Sequence, residues 1–458
     1  MTHFQRALAL ALLVPSLASA NELSRIYQLA VKNDTQLQAA QGARDAALAG
    51  NPQARGALLP QVTGTGNIYR GNEESDVTRP GVAGVVHNDE DTESNELRLS
   101  LRQKLFDAAA WNRWQQADAN GAAAWATYRL AEQNLAVRVT EAYFNLLGAA
   151  DNVRFADAEK KAVERQLELA KKRFEVGLSA ITDVQEAQAR YDLTVAQMIE
   201  AEQALTTAQT AVSEITGAAD ANIVPLKDEI PLLGPNPDSV NDWLKAASEK
   251  SLEIRLANAQ VRAAREDVDA KRAGHYPTLD LVGTTATGES GSVTPGIGKT
   301  DIEYDQMRYG LELTVPIFAG GSTQAAVNAA QGTLDQRRAE LEGKKRSVER
   351  NTRTAYQGVI AGVSRVKAYT QAVVSNQTAL EASEVGLEVG ARTAVDVLNA
   401  QRELYRAQRD YSKSRYDYLL NILRLKQAAG QLAVKDLNEI DALLGAQQGS
   451  AVARKPAN

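Results

Sequence analysis

The chain of 458 residues contains no cysteine. Disulfides, thiolate metal sites and cysteine nucleophiles are therefore excluded together. Histidine is almost missing, with only His3, His87 and His275, all far apart. A His-based metal or acid–base centre has little to be built from. Aromatic residues make up 5% of the chain, so a core must rest mainly on Ala, Leu and Val. Basic excess is lacking too: the formal charge is −6. A nucleic-acid partner is excluded on that ground, because such binding needs a basic face to displace counterions. No Ser/His/Asp or metal constellation is present, so the chain reads as neither an enzyme nor a cofactor carrier. Beyond the N-terminus no run approaches the roughly 18 apolar residues of a membrane-spanning helix. If this protein crosses a membrane, it must do so as a closed β-barrel, since lipid tolerates no open sheet edge.

What is present begins at the N-terminus. Arg6 gives a basic start, Ala7 to Leu17 an apolar stretch, and Ala18-Ser19-Ala20 a small-residue cleavage site. This is the pattern of a signal peptide over residues 1–20, the alternative being a buried N-terminal helix. The mature chain is expected to begin near Asn21, and a lipid-bearing cysteine is not available there.

The chain then repeats itself. Phe174-Glu175-Val176-Gly177, Asp183-Val184 and Ala187-Gln188 recur as Leu387-Glu388-Val389-Gly390, Asp396-Val397 and Ala400-Gln401, at a constant offset of 213 residues. The same shift carries Ala142-Tyr143 onto Ala355-Tyr356 and Gly217 onto Gly430. At nearly that shift Leu105-Phe106 matches Ile317-Phe318, and Leu59-Pro60 matches Tyr276-Pro277. Ordered matches over such a length indicate duplication. The first repeat is placed at residues 21–225, a Pro-rich linker at 226–239, the second repeat at 240–433 and a tail at 434–458.

Each repeat reads as helix, strand, strand, very long helix, turn, helix. The first helices are expected from Leu23 to Gly56 and from Asn241 to Gly274. The strands are expected at 60–72 and 94–107, and again at 277–289 and 304–318, with the turns at 177 and 390. The second strands alternate: Leu97, Leu99 and Leu101 interleave with Arg98, Ser100 and Arg102, and Leu311, Leu313 and Val315 with Glu312 and Thr314. One face is apolar and the other charged, which suits a soluble sheet over a core or a barrel around water. The polar stretches Gly71 to Ser94, with acidic Asp89-Glu90-Asp91, and Glu289 to Asp301 read as exposed loops. The acidic run lacks the spacing of a calcium loop. Gly298-Lys299-Thr300 lacks the earlier glycine of a phosphate loop, where Val293 stands instead.

After each strand pair come long proline-free segments, Ala108 to Phe174 and Ala319 to Leu387, with apolar residues at spacings of three and four. A continuous helix of that size would be roughly 100 Å long, beyond what a globular domain uses. Four strands cannot close a barrel, for which about eight is the practical minimum. Several chains would have to share one barrel, and the long helices would extend it as a tube.

Here a family resemblance becomes apparent. Val176-Gly177-Leu178 with Ala180-Ile181-Thr182-Asp183-Val184-Gln185, and Val389-Gly390 with Arg392-Thr393 and Val395-Asp396-Val397-Leu398, resemble the TolC family of outer-membrane efflux and type I secretion channels. Pro60 and Pro277 before the strands agree, as do Leu105-Phe106 and Pro316-Ile317-Phe318 after them. The likeness runs from the signal peptide to about Ala433. It implies an α+β membrane channel with an internal two-fold repeat, in the outer membrane of a Gram-negative bacterium. It further implies a homotrimer whose twelve-stranded β-barrel, four strands per chain, sits in the lipid bilayer and continues as a long α-helical periplasmic barrel. Conduction would be passive, with a periplasmic adaptor (membrane fusion) protein and an inner-membrane ABC, RND or MFS transporter as partners.

The tips of the helix pairs carry two readings. Gly177 and Gly390 suit helix C′ positions, and Thr393-x-x-Asp396 and Thr182-x-x-Gln185 suit capping boxes, so capping alone can account for these residues. The resemblance adds a gate. In similar channels the tunnel mouth closes by inward coiling of the second helix pair and is narrowed by acidic rings. The matching residues are Asp396 and Asn399, with Arg392 as a latch to Thr182 and Asp183 across the mouth. Leu387 stands where similar channels carry a latch tyrosine, and Asn399 where a second aspartate would complete a double ring. A single-ring gate with weaker cation block is therefore expected. The turns at Val176, Gly177 and Leu178 and at Val389 and Gly390 would receive the adaptor, or are ordinary tight turns. Against the channel stands an exported coiled-coil scaffold or periplasmic adaptor without a channel, which explains the helices but not the amphipathic strands.

Overall fold

The computed structural model describes residues 22–77, 86–218, 221–294 and 298–445. The expected signal peptide at 1–20 and the end of the tail at 446–458 lie outside the described residues. The elements run α1 (Glu22–Asn33), α2 (Thr35–Gly56), β1 (Gln61–Val77), β2 (Val86–Phe106), α3 (Ala108–Glu175) and α4 (Ile181–Thr216). The second series is α5 (Val240–Lys250), α6 (Leu252–Arg272), β3 (Thr278–Thr294), β4 (Gly298–Thr314), α7 (Ser322–Glu388) and α8 (Ala394–Ala428), followed by α9 (Val434–Asp441). Helices α3 and α7 contain 68 and 67 residues.

Several expected boundaries are corrected. The first helix of each series is broken in two. Asp34 ends α1 and caps α2: its carboxylate accepts from Leu37 N at 2.7 Å and from Arg138 at 2.9 Å. A short side chain that competes for backbone donors starts a new helix within an apparently continuous helical pattern. Ser251 breaks the corresponding helix in the second series. Of the stretches expected as loops, residues 71–77, 86–94, 289–294 and 298–301 are strand, while 78–85 and 295–297 lie outside the described residues. An antiparallel ribbon is held by its backbone ladder and needs no apolar alternation where both faces are polar. The run Asp89-Glu90-Asp91 lies in β2, an extended conformation that cannot wrap an ion as a calcium loop does. Strand β4 ends at Thr314 and not at 318, because Pro316 has no N–H to offer a ladder.

The chain divides into two compact units. One comprises residues 42–126 and 255–343 and holds the sheet. Its four strands are all antiparallel, in the order β1-β2-β3-β4. Each repeat supplies a hairpin, and β2 joins β3 between them. Near the sheet α6 and α7 share a small seam of Ala264, Val268, Ala330 and Leu334.

The other unit comprises residues 22–41, 127–254 and 344–445 of the described chain and holds the main core. Leu23, Tyr143, Leu146, Trp243, Leu423 and Leu437 are buried together there. The expected linker at 226–239 is fastened across this core: Leu233 N donates to Tyr418 Oη at 2.9 Å, and Leu226 bridges Leu444. The expected tail is likewise structural up to residue 445, since α9 buries Leu437 and Ile440. Asp441 accepts from the backbone N–H groups of Leu23 and Ser24, each at 2.8 Å, and so caps α1. Gly430 ends α8 with φ +67°, and a Cβ there would stand 2.5 Å from the carbonyl oxygen of Lys250.

Replacing Asp441 by Ala should lower stability by about 1 to 2 kcal/mol, the usual range for a lost cap. Gly430→Ala should cost more than about 1 kcal/mol, through the positive φ and the clash together. Thermal unfolding followed by helical circular dichroism checks both.

Candidate functional site: a two-faced sheet and paired helix tips

Along the strands residues alternate between faces, and cross-strand partners share one. Val62 pairs with Leu101, Leu101 with Gly283, Leu281 with Leu311 and Leu279 with Leu313. This face is apolar and open: Leu97, Leu311, Leu313, Ile68 and Tyr309 are all exposed. The opposite face carries charge in a ladder. Arg102 reaches Asp280 at 2.8 Å and Glu312 at 3.7 Å, while Arg98 and Tyr304 both bond Glu96. Large apolar side chains left in the open, backed by paired charges, are not how a water-soluble sheet is built. Among the described residues, strands β1 and β4 each have one unpaired edge.

The tips lie in the other unit. Helix α3 ends in a Schellman turn: Gly177 N donates to Phe174 O at 2.9 Å and Leu178 N to Arg173 O at 2.7 Å. Helix α7 ends the same way, with Gly390 N on Leu387 O and Ala391 N on Gly386 O. Both glycines have positive φ, +78° and +75°, as the capping reading requires. The turns expose Val176, Leu178 and Val389, at 69%, 73% and 73%. Such exposure on three apolar side chains leaves a sticky end on each hairpin.

The two tips then diverge. Thr393 and Asp396 form a complete capping box at the start of α8. Asp396 Oδ2 accepts from Thr393 N and Oγ1, each at 2.9 Å, and Thr393 Oγ1 accepts from Asp396 N at 3.2 Å. Those bonds from the Thr393 backbone and hydroxyl, with Arg392 nearby, hold the Asp396 carboxyl below the usual aspartate range. It is therefore ionised at neutral pH. The expected box at Thr182 and Gln185 does not form. Helix α4 begins two residues earlier than that box requires, at Ile181 after Ala180, with no side-chain cap. Thr182 falls inside the first turn, and Ser179 Oγ donates to Asp183 at 2.7 Å instead.

Asp183 and Arg392 line one cleft of about 250 Å³, together with Leu169, Arg173, Leu178 and Thr393. Among the described residues no bond joins Arg392 to Thr182 or Asp183 within the chain. The stem of Arg392 lies over Gly386, where a Cβ would stand 2.6 Å from its Cγ. Leu387 packs against the seam of Leu380, Val397 and Leu404. Asn399 is exposed on α8, while Val397 and Leu398 beside it are buried.

One residue of this region went unread in the sequence. Glu159 of α3 is 1% exposed and bonds Arg190 of α4 at 2.7 Å and Arg409 of α8 at 3.1 Å. It ties the first helix pair to the second. A glutamate in a long charged helix gives no sign of burial, and its partners lie 31 and 250 residues away.

The sequence profile of the family described as Outer membrane efflux protein matches residues 26–218 and again 243–431. This chain belongs to that family. It is 36% identical over 428 residues to the outer membrane protein TolC of Vibrio cholerae, covering 92% of this chain and 94% of that one. To the alkaline protease secretion protein AprF of Pseudomonas aeruginosa it is 33% identical, over 91% of this chain and 86% of that one. In structure it is similar to the outer-membrane channel OprN, with a TM-score of 0.76 at 18% identity over 90% of this chain and 91% of that one. The protein is thus an outer-membrane channel subunit of the TolC family, with the helical part in the periplasm. A scaffold or adaptor without a channel is not favoured.

Glu159→Gln should lower stability of the helical unit by about 3 kcal/mol, because it strands two arginines beside a buried amide. Arg409→Ala should cost less, since Arg409 is the more exposed of the two cations, at 31% against 15%. Chemical unfolding curves of the three proteins test the order.

Proposed function

We propose that three copies of this chain form one twelve-stranded barrel whose lumen is lined by the charged face, continued by a periplasmic helical tunnel. The observation that carries this reading is a four-stranded sheet with two open edges, an apolar face and a charged face. A single such sheet leaves two rows of backbone groups unpaired, and about eight strands are needed for closure. The assembly acts as the passive exit duct of a tripartite efflux or type I secretion system. Energy comes from an inner-membrane ABC, RND or MFS transporter, joined through a periplasmic adaptor. The apolar tips at Val176, Gly177, Leu178, Val389 and Gly390 are the docking points for the adaptor.

The periplasmic gate is formed by Asp396, Asn399 and Arg392, with Thr182, Asp183 and Leu387 on its frame. Three Asp396 carboxylates around an axis concentrate negative potential and attract cations. The ring is single, because Asn399 carries no charge. Supporting a latch role for Arg392 is its place on the same cleft as Asp183, beside the Asp396 carboxylate. Leu387 contributes packing only, so the latch relies on Arg392.

Planar-bilayer recording should give a small conductance, blocked by divalent cations from the periplasmic side. Asp396→Ala should abolish the block and Arg392→Ser should raise the conductance several-fold. If neither variant differs from the parent, the gate is wrongly assigned. Extraction from outer membranes as a detergent-dependent monomer would count against the trimer. Leu178→Asp and Val389→Asp together should abolish export in cells while leaving trimer and conductance intact. Unimpaired export would remove the tips from the adaptor site.

A further inference from the structure

We propose that the seam between neighbouring protomers repeats the β2–β3 junction inside the chain, setting Leu313 opposite Gly66 of the partner subunit and Leu311 opposite Ile68 of the partner subunit. This deepens the trimer reading and rests on it: the occupant of each open edge is a second copy of this chain, in one stated register.

The duplication relates the strands of the two hairpins. Leu59-Pro60 and Tyr276-Pro277 relate the first strands of the repeats by 217 residues, and Leu105-Phe106 and Ile317-Phe318 relate the second strands by 212. The two hairpins obey these shifts. Val62 pairs with Leu101, and their counterparts Leu279 and Leu313 pair as well. Gly66 pairs with Leu97, and Gly283 with Tyr309. The hairpins are therefore the same object in register as well as in sequence. Between them, β2 meets β3 with Leu101 opposite Gly283, Leu99 opposite Thr285 and Phe106 opposite Leu279 beyond a bulge. Closing a ring from identical hairpins requires β4 to meet the next β1 as β2 meets β3. The same shifts then place Leu313 on Gly66, Leu311 on Ile68 and Phe318 on Val62 of the partner subunit.

Three observations agree with that placement. Side-chain parity is preserved: Leu313, Leu311, Gly66 and Ile68 all lie on the apolar face, and a slip of one residue would set apolar against polar along the seam. Exposure also reports a missing strand. Leu105 and Phe106, which have β3 beside them, are 52% and 50% exposed, whereas their counterparts Ile317 and Phe318 are 94% and 88% exposed. Finally, Gly283 sits between Leu101 and Tyr309, and a leucine already leans over Gly66 from the β2 side, with Leu97 Cδ2 3.3 Å from where its Cβ would stand. A second large side chain, Leu313, arrives on the other side in the proposed register.

The absence of cysteine makes the test direct. Double variants carry Leu313→Cys with Gly66→Cys, and separately Glu312→Cys with Asn67→Cys. Adjacent registered pairs alternate between narrow and wide sites, so one of the two falls at disulfide distance. Shifted controls pair Leu313→Cys with Gly64→Cys and with Ile68→Cys. Outer membranes are oxidised and run on non-reducing gels. A registered pair should give covalent dimers and trimers at about tenfold the yield of either control. Stronger bridging in a shifted pair would overturn the register while leaving the trimer standing. A disulfide that closes within one chain, or no intermolecular bridge from any pair together with a monomer on amine cross-linking, would overturn both.

Discussion

Everything in this protein follows from the backbone of two strands. In hydrocarbon an N–H or C=O without a partner costs several kcal/mol, and no water is at hand to relieve it. Edges β1 and β4 each carry a row of such groups, and the chain has no further strand with which to cover them among its described residues. The subunit is thereby obliged to find copies of itself. The same obligation explains why the sheet wears its leucines outside and its arginines inside. A sheet with lipid on one face and water on the other reverses the usual logic of a core. The seam register, the open ends at Ile317 and Phe318, and the absence of any described helix apolar enough to span a membrane are consequences of one arrangement.

The helical part shows how two nearly identical hairpins come to differ at their tips. Both end in the same Schellman turn, yet the second starts its return helix with a closed capping box and the first with a bare alanine. The carboxylate at Asp396 is held by the N-terminus of its own helix, so its charge is fixed in place within the protomer. At the first tip Ser179 occupies Asp183, and Arg392 faces that pair across the cleft without bonding it. Glu159 then couples the pairs further along, with one carboxylate shared between Arg190 and Arg409. Movement of α8 relative to α3 has to act against that shared bond.

How much of this could be read in advance depended on whether local sequence carries the signal. The duplication, the long helices, the alternation in β2 and β4 and the tip glycines were all legible, because each is a pattern within one segment. The strand extensions over 73–77, 86–93, 290–294 and 298–303 were not, since a polar ribbon held by its backbone has the composition of a loop. Capping was half legible. Thr393 and Asp396 do what their spacing suggests, while Thr182 and Gln185 share the spacing and do nothing of the kind, because α4 begins two residues too early for them. Glu159, Asp34 and Asp441 were invisible, as their partners lie far away in the chain. The start of the tail was illegible for the same reason: α9 is short and polar in sequence, and its burial depends on α1.

That last contact has a consequence in time as well as in space. Helix α1 is the first described element to leave the export machinery, and α9 is the last. The donors at the start of α1 are satisfied by Asp441, 418 residues later. The helical unit therefore cannot complete its core on a growing or truncated chain. Until the final helix arrives, Leu23 and Ile26 remain without Leu437 and Ile440 to cover them. Completion of the subunit is in effect certified by its own far end, and a chain that stops short of residue 441 carries the mark of being unfinished.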